Sequence, residues 1–228
     1  MSDVVPFKII ARIRSPFPGK FGIPRQSGRV EQVVSTIVFE PEYRVSEALH
    51  GLDGYSHLWL IWHFSEAQRE DWSPTVRPPR LGGNKRMGVF ATRSPYRPNP
   101  IALSSVKFLG IEHTEDCGDI ILVEGADILD GTPIYDIKPY LKYTDSHPDA
   151  LGGFADGVLG YKLDVYIPDE LLAKIPEEKR KPLITVLEND PRPGYKDDSE
   201  KEYGMKYSDF EVFFKVKDGI LTVTNIKI

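Results

Sequence analysis

The sequence predicts a mainly β protein in which a single-sheet antiparallel β-barrel is followed by a small α+β appendage at the C-terminus. Three observations favour this fold class. The apolar segments of the first 140 residues are short and rich in β-branched and aromatic residues, most connections between them are short, and no helices alternate regularly with them. With 228 residues, 40% of them hydrophobic, the chain can bury one core and a smaller second one.

Seven segments of the N-terminal part have the composition of strands. They are residues 7–13, 30–39, 58–64, 87–91, 102–113, 120–124 and 132–137. Residues 58–64 form a nearly continuous apolar run, which predicts a central strand buried on both faces. Between Val45 and Leu52 the apolar residues recur at helical spacing and indicate a short helix.

The composition changes after about residue 141, where the chain becomes polar and glycine-rich. We therefore divide it into a barrel domain, residues 1–145, and a small α+β domain, residues 146–228. In the second domain we expect helices at residues 168–174 and 182–188, each with a proline in its first turn. Residues 209–228 alternate between apolar and polar and contain Asp218-Gly219, a strong signal for a β-hairpin.

Charge is distributed unevenly along the chain. The formal net charge is −5, yet residues 72–110 contain no Asp or Glu and carry seven Lys or Arg. A local basic surface on an acidic protein is typical of a protein that binds an anion at one place. The alternative, that these arginines are solvated or pair with acids elsewhere, is equally open.

Several classes of protein have no support. The single cysteine excludes a disulfide within the chain, five scattered histidines indicate no metal site, and the N-terminus does not resemble a signal peptide. The most apolar segment is too short to cross a bilayer, so we expect a cytoplasmic protein without a membrane partner. The chain lacks GxGxxG, GxxxxGK[ST], HExxH and GxSxG motifs in a suitable context.

Three loop segments carry the candidate chemistry. The first is the basic segment itself, in which glycines allow close approach of a ligand and prolines at 95, 98 and 100 hold an extended course. The second is residues 21–26, read alone as an ordinary turn. The third is residues 126–140, where Asp127, Asp130 and Asp136 cluster. Asp130 could accept hydrogen bonds from a ligand, but an Asp-Gly pair alone more often only makes a turn.

Together these segments resemble the TsaA-like, or TrmO, family. The resemblance is carried by the motifs PRQ, SHLWLIWHF, RPPRLGGNKRMGVFATRSPYRPNPI and DGTPIYDIKPY, and by DPRPGY and residues 207–216 near the C-terminus. It covers nearly the whole chain. The resemblance implies a homodimeric, S-adenosylmethionine-dependent tRNA methyltransferase on a single-sheet β-barrel. Its substrate would be N6 of N6-threonylcarbamoyladenosine next to the anticodon.

The resemblance also implies a cofactor site. Its matching positions are Pro24, Arg25, Gln26, His63, Arg93, Leu103, Leu129, Asp130, Gly131 and Thr132. For His63 and Leu103 a place in the barrel core is equally plausible. Phe64 and Tyr96 are candidates for contact with the sulfonium, because aromatic faces attract cations, although an aromatic residue beside a strand is more often in the core.

Other residues are candidates for binding and chemistry on the RNA. For binding of the tRNA they are Arg77, Arg80, Arg86, Tyr96, Arg97, Arg192 and Tyr195. Arg86 or Arg97 would bind the threonyl carboxylate, since guanidinium groups match carboxylates bidentately. The base that removes the N6 proton could be Asp130, Asp136 or His57, and the sequence does not choose. Acidic residues at 197–202 make an RNA contact by the appendage doubtful.

Two rival functions stay open at this point. A non-catalytic nucleic-acid-binding barrel also combines aromatic residues with basic loops. It has no need, however, of a polar site assembled from three distant loops. A small-molecule methyltransferase on the same scaffold would bind the cofactor without any dependence on tRNA.

Overall fold

The computed structural model describes residues 5–66, 72–78, 85–158, 160–192 and 198–228. The strands in these ranges are β1 (Ala11–Arg14), β2 (Val34–Phe39), β3 (His57–His63), β4 (Thr75–Val76), β5 (Met87–Gly88), β6 (Ile101–Thr114), β7 (Gly118–Glu124), β8 (Pro133–Pro139), β9 (Asp164–Tyr166), β10 (Tyr203–Tyr207), β11 (Phe210–Lys217) and β12 (Ile220–Lys227). The α-helices are α1 (Lys142–Asp145), α2 (Asp169–Leu172) and α3 (Glu177–Glu188), and short 3₁₀ helices span Pro41–Tyr43, Ser46–Leu49, Leu52–Gly54, Val89–Ala91 and Gly153–Val158. The prediction of a mainly β chain is confirmed.

Six strands form one antiparallel sheet in the order β1-β2-β7-β6-β3-β8. Because β1 pairs with both β2 and β8, the sheet closes into a barrel. Side chains of a strand point alternately to its two faces, and in β3 Leu58, Leu60 and Trp62 point into the core. The residues between them are only half-buried. The expectation of burial on both faces is wrong, because a closed sheet covers its inner face alone unless another layer packs outside.

Antiparallel pairing brings three long connections to one end of the barrel. This end, named here the loop-rich end, carries residues 15–33 between β1 and β2, the described residues between β3 and β6 (64–66, 72–78 and 85–100), and residues 125–132 between β7 and β8. The opposite end carries residues 40–56 and the tight β6–β7 turn. The three segments that the sequence indicated as candidates for function therefore meet at a single end.

The C-terminal residues form a second sheet in the order β10-β11-β12-β9, with β9 parallel to β12. The predicted hairpin is confirmed: β11 and β12 are joined by Asp218 and Gly219, both with positive φ (50° and 80°), as a two-residue hairpin turn requires. Helix α3 begins five residues before the expected start at Pro182. Pro182 lies inside the helix, where burial of Pro182, Leu183 and Leu187 against the sheet outweighs the missing N–H donor.

Two further local expectations need correction. Instead of one α-helix, residues 45–52 contain the 3₁₀ helix Ser46–Leu49 and the first residue of a second, Leu52–Gly54, with Gly51 in a left-handed conformation (φ 81°) between them. In residues 87–91 only Met87–Gly88 is a strand, paired with the two residues of β4, and a 3₁₀ turn follows.

The second sheet packs on the connection between β1 and β2. Phe17 lies edge-on to Tyr207 with ring centroids 5.9 Å apart, and Phe21 stacks on Tyr203 at 6.3 Å. The backbone N–H of Ser208 donates to the carbonyl of Pro16 at 2.7 Å. Residues 15–33 thus belong by sequence to the barrel and by packing to the C-terminal core. None of the helices in the described ranges is long and apolar enough to span a membrane.

Candidate functional site

The turn of residues 129–132 is fixed to β1 and to residues 15–17 by five hydrogen bonds, one of them from Nη1 of Arg12 to the carbonyl of Gly131 at 3.2 Å. The N–H of Ser15 donates to Oδ1 of Asp130 at 2.9 Å, and the N–H of Asp130 donates to the carbonyl of Phe17 at 2.9 Å. The N–H of Gly131 donates to Ile13 at 2.8 Å, and Ile13 in turn donates to Thr132 at 3.1 Å. Asp130 does make a turn, as the simpler interpretation held, but its carboxylate also anchors the neighbouring loop.

One side of this turn is open to solvent. Gly131 has φ 74°, and a Cβ placed on it would meet no atom within 4 Å. Asp130 and Gly131 are exposed and Leu129 is half-buried, whereas Thr132 is buried (2% exposed). The turn therefore presents the Asp130 carboxylate to the solvent, whereas the N–H and the carbonyl of Gly131 already bond to Ile13 and Arg12.

Gln26 connects the PRQ motif to the basic segment. Its Oε1 accepts a hydrogen bond from the guanidinium of Arg93, and its Nε2 donates to the carbonyl of Arg25. Arg25 points away to the C-terminal part, where its Nη2 donates to the carbonyl of Arg192 at 2.6 Å. Pro24 is buried. The side chains of Gln26 and Arg93 are thus exposed and fixed relative to each other, whereas Arg25 mainly holds the loop in place.

Asp127 is a residue of this end that the sequence interpretation did not assign to the site. Its Oδ1 accepts a hydrogen bond of 2.6 Å from Ser104 Oγ, which itself accepts one of 2.9 Å from Trp62 Nε1. Burial raises the pKa of the Asp127 carboxyl, opposed by hydrogen bonds from Ser104 and backbone N–H groups, that of Ser27 among them, and by the charge of Arg93. The Asp127 carboxylate is half-buried and close to both Ser27, next to the PRQ motif, and Arg93. It can therefore orient both segments. From the sequence, only the alternation of apolar and polar residues near the β7–β8 connection could have suggested a role for Asp127.

His63 and Leu103 do not point into the barrel core. They alternate with the buried residues Trp62, Ala102 and Ser104, and Leu103 is 53% exposed. The His63 ring lies 5.8 Å from that of Tyr135 on β8. Both therefore lie on the outer face of the sheet near the loop-rich end. Phe64 lies edge-on to Trp62 with ring centroids 4.6 Å apart and packs, partly buried, against the core.

The arginines proposed to contact RNA fall into two kinds. Arg77 and Arg86 are exposed, and the other candidate of this segment, Tyr96, is 37% exposed. The half-buried Arg97 donates from Nη1 to the carbonyl of Thr92 at 2.9 Å, so it also fixes its own loop. Arg80 and Tyr195 lie outside the described residues.

Arg192 is placed differently from these arginines. It is only 8% exposed and forms two hydrogen bonds, of 2.9 and 3.0 Å, with the carboxylate of Asp190. Its charge is thus already compensated within the protein.

The three candidate bases lie far apart. Asp130 is exposed at the loop-rich end. Asp136 lies in the middle of β8 opposite Ile61 of β3, and it pairs with Lys138 at 2.7 Å. His57 is at the other end of β3, roughly 20 Å from His63 at about 3.3 Å per residue. Asp130 lies at the same barrel end as the other cofactor candidates, whereas His57 lies at the opposite end. In the described ranges no three His, Cys, Asp or Glu residues cluster as metal ligands would.

Comparison with known proteins agrees with this geometry. Residues 12–146 match the family described as tRNA-methyltransferase O N-terminal domain, and residues 161–228 match the TrmO C-terminal domain. The chain belongs to the TrmO family.

Relatives and solved structures extend the similarity over the whole chain. The chain is 42% identical over 221 residues to the tRNA (adenine(37)-N6)-methyltransferase of Escherichia coli K12, covering 93% of each. It is 38% identical to a probable S-adenosyl-L-methionine-binding protein of Methanothermobacter thermautotrophicus, covering 64% of this chain and 98% of that protein. A crystal structure of TrmO from Pseudomonas aeruginosa aligns with a TM-score of 0.78 and 30% identity, covering 99% of this chain and all of that one.

Proposed function

We propose that this protein is an S-adenosylmethionine-dependent tRNA methyltransferase that acts on N6 of adenosine 37, and that its substrate nucleoside is N6-threonylcarbamoyladenosine. One observation carries the proposal: the PRQ loop, Arg93 and the 129–132 turn converge at one barrel end in a chain of the TrmO family. Relatives with high identity are named tRNA (adenine(37)-N6)-methyltransferase.

The residues at this end fit the chemistry of the cofactor. S-adenosylmethionine carries hydroxyls, an amino group and a carboxylate, which need acceptors, donors and a counter-charge. The Asp130 carboxylate is an acceptor, while the Gln26 amide and the Arg93 guanidinium supply donors. At the same end, Gly131 has no side chain and leaves its surroundings open to a ligand. The exposed side chain of Leu103 provides apolar surface.

When bound, S-adenosylmethionine supplies an electrophilic methyl group on a sulfonium. What remains for the protein is to hold its own groups in a fixed arrangement, and such positioning lowers a barrier by ~7–11 kcal/mol. Here the hydrogen bonds from Ser15 to Asp130, from Arg93 to Gln26 and from Ser104 to Asp127 fix that arrangement in advance.

We further propose that Asp130 accepts the N6 proton. It is exposed at the loop-rich end, where the N–H of Ser15 donates a hydrogen bond to its Oδ1 and so orients the carboxylate. His57 lies at the opposite end, and Asp136 already pairs with Lys138. For the threonyl carboxylate we favour Arg86 over Arg97, because Arg86 is exposed whereas Arg97 donates to its own loop.

The remaining assignments are also proposals. We propose a homodimer in the cytoplasm that uses neither a membrane nor a metal ion. We keep the division into residues 1–145 and 146–228, with the qualification that residues 15–33 pack on the second part. The bidentate pairing of Arg192 with Asp190 argues against Arg192 as a contact for RNA phosphates.

The proposal is tested by methyl transfer in vitro. Purified protein, S-adenosylmethionine and tRNA with or without the threonylcarbamoyl group are combined, and the nucleosides are identified by mass spectrometry. We expect a mass gain of one methyl group on threonylcarbamoyladenosine only. Equal methylation of both tRNAs would remove the threonylcarbamoyl part of the proposal. No methylation of either, together with no thermal stabilisation by the cofactor (expected ~2.7 kcal/mol at 100 times its Kd), would overturn the function.

A further inference from the structure

The structure contains an exposed pair of aromatic rings within the basic segment. Trp72 and Phe90, named here the aromatic pair, are 53% and 71% exposed. Their ring centroids are 6.3 Å apart and the rings are inclined by 29°, a stacked arrangement. Large apolar rings left in solvent are costly, so a pair held together at the surface indicates a partner.

The backbone holds the two rings side by side. Trp72 precedes β4 and Phe90 follows β5, and these strands pair with Thr75 opposite Gly88. The N–H of Val89 donates to the carbonyl of Pro74 at 2.9 Å. Val89 is buried (1% exposed) and anchors the turn that carries Phe90. The pair is therefore part of a fixed element and does not arise from two side chains that meet by chance.

We propose that the aromatic pair is a stacking platform for an unpaired nucleobase of the tRNA, adjacent to the nucleoside that is methylated. This inference rests on the proposed function and adds a binding site to it. Proteins read single-stranded loops by stacking splayed bases on aromatic side chains, and any base has a π-face that fits. An anticodon loop offers such bases on either side of adenosine 37.

Charge favours RNA over a protein partner. The segment of residues 72–110 contains no carboxylate, and Arg77, Lys85 and Arg86 lie in the same hairpin as the aromatic pair. A polyanion is attracted to this surface. A second copy of the chain would meet it in a two-fold interface, which places the same surface of both copies face to face and so opposes like charges.

Position along the chain favours a base next to the reacting one. Phe90 precedes Arg93 by three residues, so their Cα atoms are at most about 11 Å apart. Arg93 contacts Gln26 at the proposed cofactor site. A base on the platform would thus be held about one or two nucleotides from the site of methyl transfer.

The test measures the affinity of the full-length protein for a synthetic anticodon stem-loop RNA. We expect W72A and F90A each to weaken binding about tenfold, within the range known for base–aromatic stacking. W72F should restore most of the affinity, because it keeps an aromatic face. The control Y166A removes a ring that is 59% exposed on β9 and should change nothing. The double variant should lose little more than either single one, since the two rings act as one platform.

Two further readouts separate stacking from charge and from self-association. The slope of log affinity against log salt should stay unchanged in W72A, since no phosphate contact is lost. Wild type should bind an RNA with an abasic site at the stacked position more weakly than it binds the intact RNA. W72A should bind the two RNAs with the same affinity. Unchanged RNA affinity in both W72A and F90A overturns the proposal. Dissociation of a dimer by W72A, with unchanged RNA affinity per subunit, overturns it in favour of a protein interface.

Failure of this inference is distinguishable from failure of the proposed function. RNA affinity is measured without the cofactor, whereas methylation by wild type is measured with it. A protein that binds RNA through the pair and methylates nothing refutes the function alone. A protein that methylates tRNA and tolerates both alanine variants in the binding assay refutes the platform alone.

Discussion

At the scale of single residues, Asp127 and Asp130 show two different uses of a carboxylate at the loop-rich end. Asp130 is exposed and fixed by one backbone donor, whereas Asp127 is half-buried and linked through Ser104 to Trp62. We expect Asp127 to act by positioning Arg93 and the PRQ loop, and Asp130 to act on ligands directly.

Replacement of Asp127 by Asn tests the positioning role through pH. The raised pKa means that the native state binds the proton more tightly than the unfolded chain, so ionisation costs stability as the pH rises above the unfolded pKa. D127N removes this cost, and its melting temperature relative to wild type should therefore improve between pH 4 and pH 7. Its affinity for the cofactor at pH 7 should fall, because Arg93 loses its carboxylate.

The control for that experiment is Asp119 at the opposite end of the barrel. Hydrogen bonds from Ser46 and His113 lower its pKa, so its stabilising effect is lost as the pH falls. D119N should therefore show the reverse trend in melting temperature and unchanged cofactor affinity. Parallel trends in the two variants would contradict the assignment for Asp127.

Replacement of Asp130 separates anchoring from ligand binding. D130A removes the acceptor of the Ser15 N–H and should lower the free energy of unfolding by about 1 kcal/mol. D130N keeps an acceptor and should unfold like wild type. Both should weaken S-adenosylmethionine binding in calorimetry, because both lose the charge. Unaltered affinity in D130N would show that the carboxylate does not face the cofactor.

The sequence could identify Asp130 as part of the site, but it gave no role there to Asp127, which lies in the same candidate segment. Asp130 stands in a motif, DGT, whose residues are adjacent in the chain. The role of Asp127 depends on contacts with Ser104, Ser27 and Arg93, which come from three separate segments. Neither local spacing nor composition predicts these contacts, because the three segments come together only in the folded barrel.

At the scale of elements, local signals predicted structure where the turn itself dictates geometry. Asp218-Gly219 fixed the β11–β12 hairpin because only particular residues tolerate two consecutive positive φ angles. Pro182 misled the prediction of α3, since the preference of proline for a first turn is weaker than burial of the helix face. Burial is a property of the assembled sheet and helix, and a single segment does not reveal it.

The connection between β1 and β2 offers a test at this scale through Gly22. Gly22 has φ 98°, and an added Cβ would lie 3.1 Å from Met205 Sδ on β10. G22A should therefore destabilise the protein by about 1–2 kcal/mol from the backbone alone, and should displace the nearby PRQ motif. Cofactor affinity should fall although Gly22 touches no ligand. G19A, with no atom within 4 Å of the added Cβ, is the matched control. Equal cofactor affinity in G22A and wild type would show that packing on the C-terminal sheet does not determine the conformation of the PRQ motif.

At the scale of the whole molecule, a net charge of −5 coexists with a segment of 39 residues that has no acid, residues 72–110. Binding of tRNA should therefore depend steeply on salt while cofactor binding does not. R77A should reduce the salt slope by roughly one unit, since the exposed guanidinium of Arg77 is a candidate for one phosphate contact. K217A, on the exposed end of β11, should leave the slope unchanged. A slope equal to wild type in R77A would place that guanidinium away from the RNA phosphates.

The connection between β1 and β2 is constrained along its whole length. Ser15 at its start donates to Asp130, and its aromatic residues pack on the second sheet. Further along, Gln26 accepts a hydrogen bond from Arg93, and the N–H of Gly28 donates to the carbonyl of Gly125 at 2.9 Å. One added residue would shift every later side chain by up to ~3.6 Å and break several of these contacts together. During divergence from a common ancestor, insertions and deletions should therefore accumulate in residues 40–56 and 146–160 and spare residues 15–33. A count of length changes per connection across the family would reveal this bias.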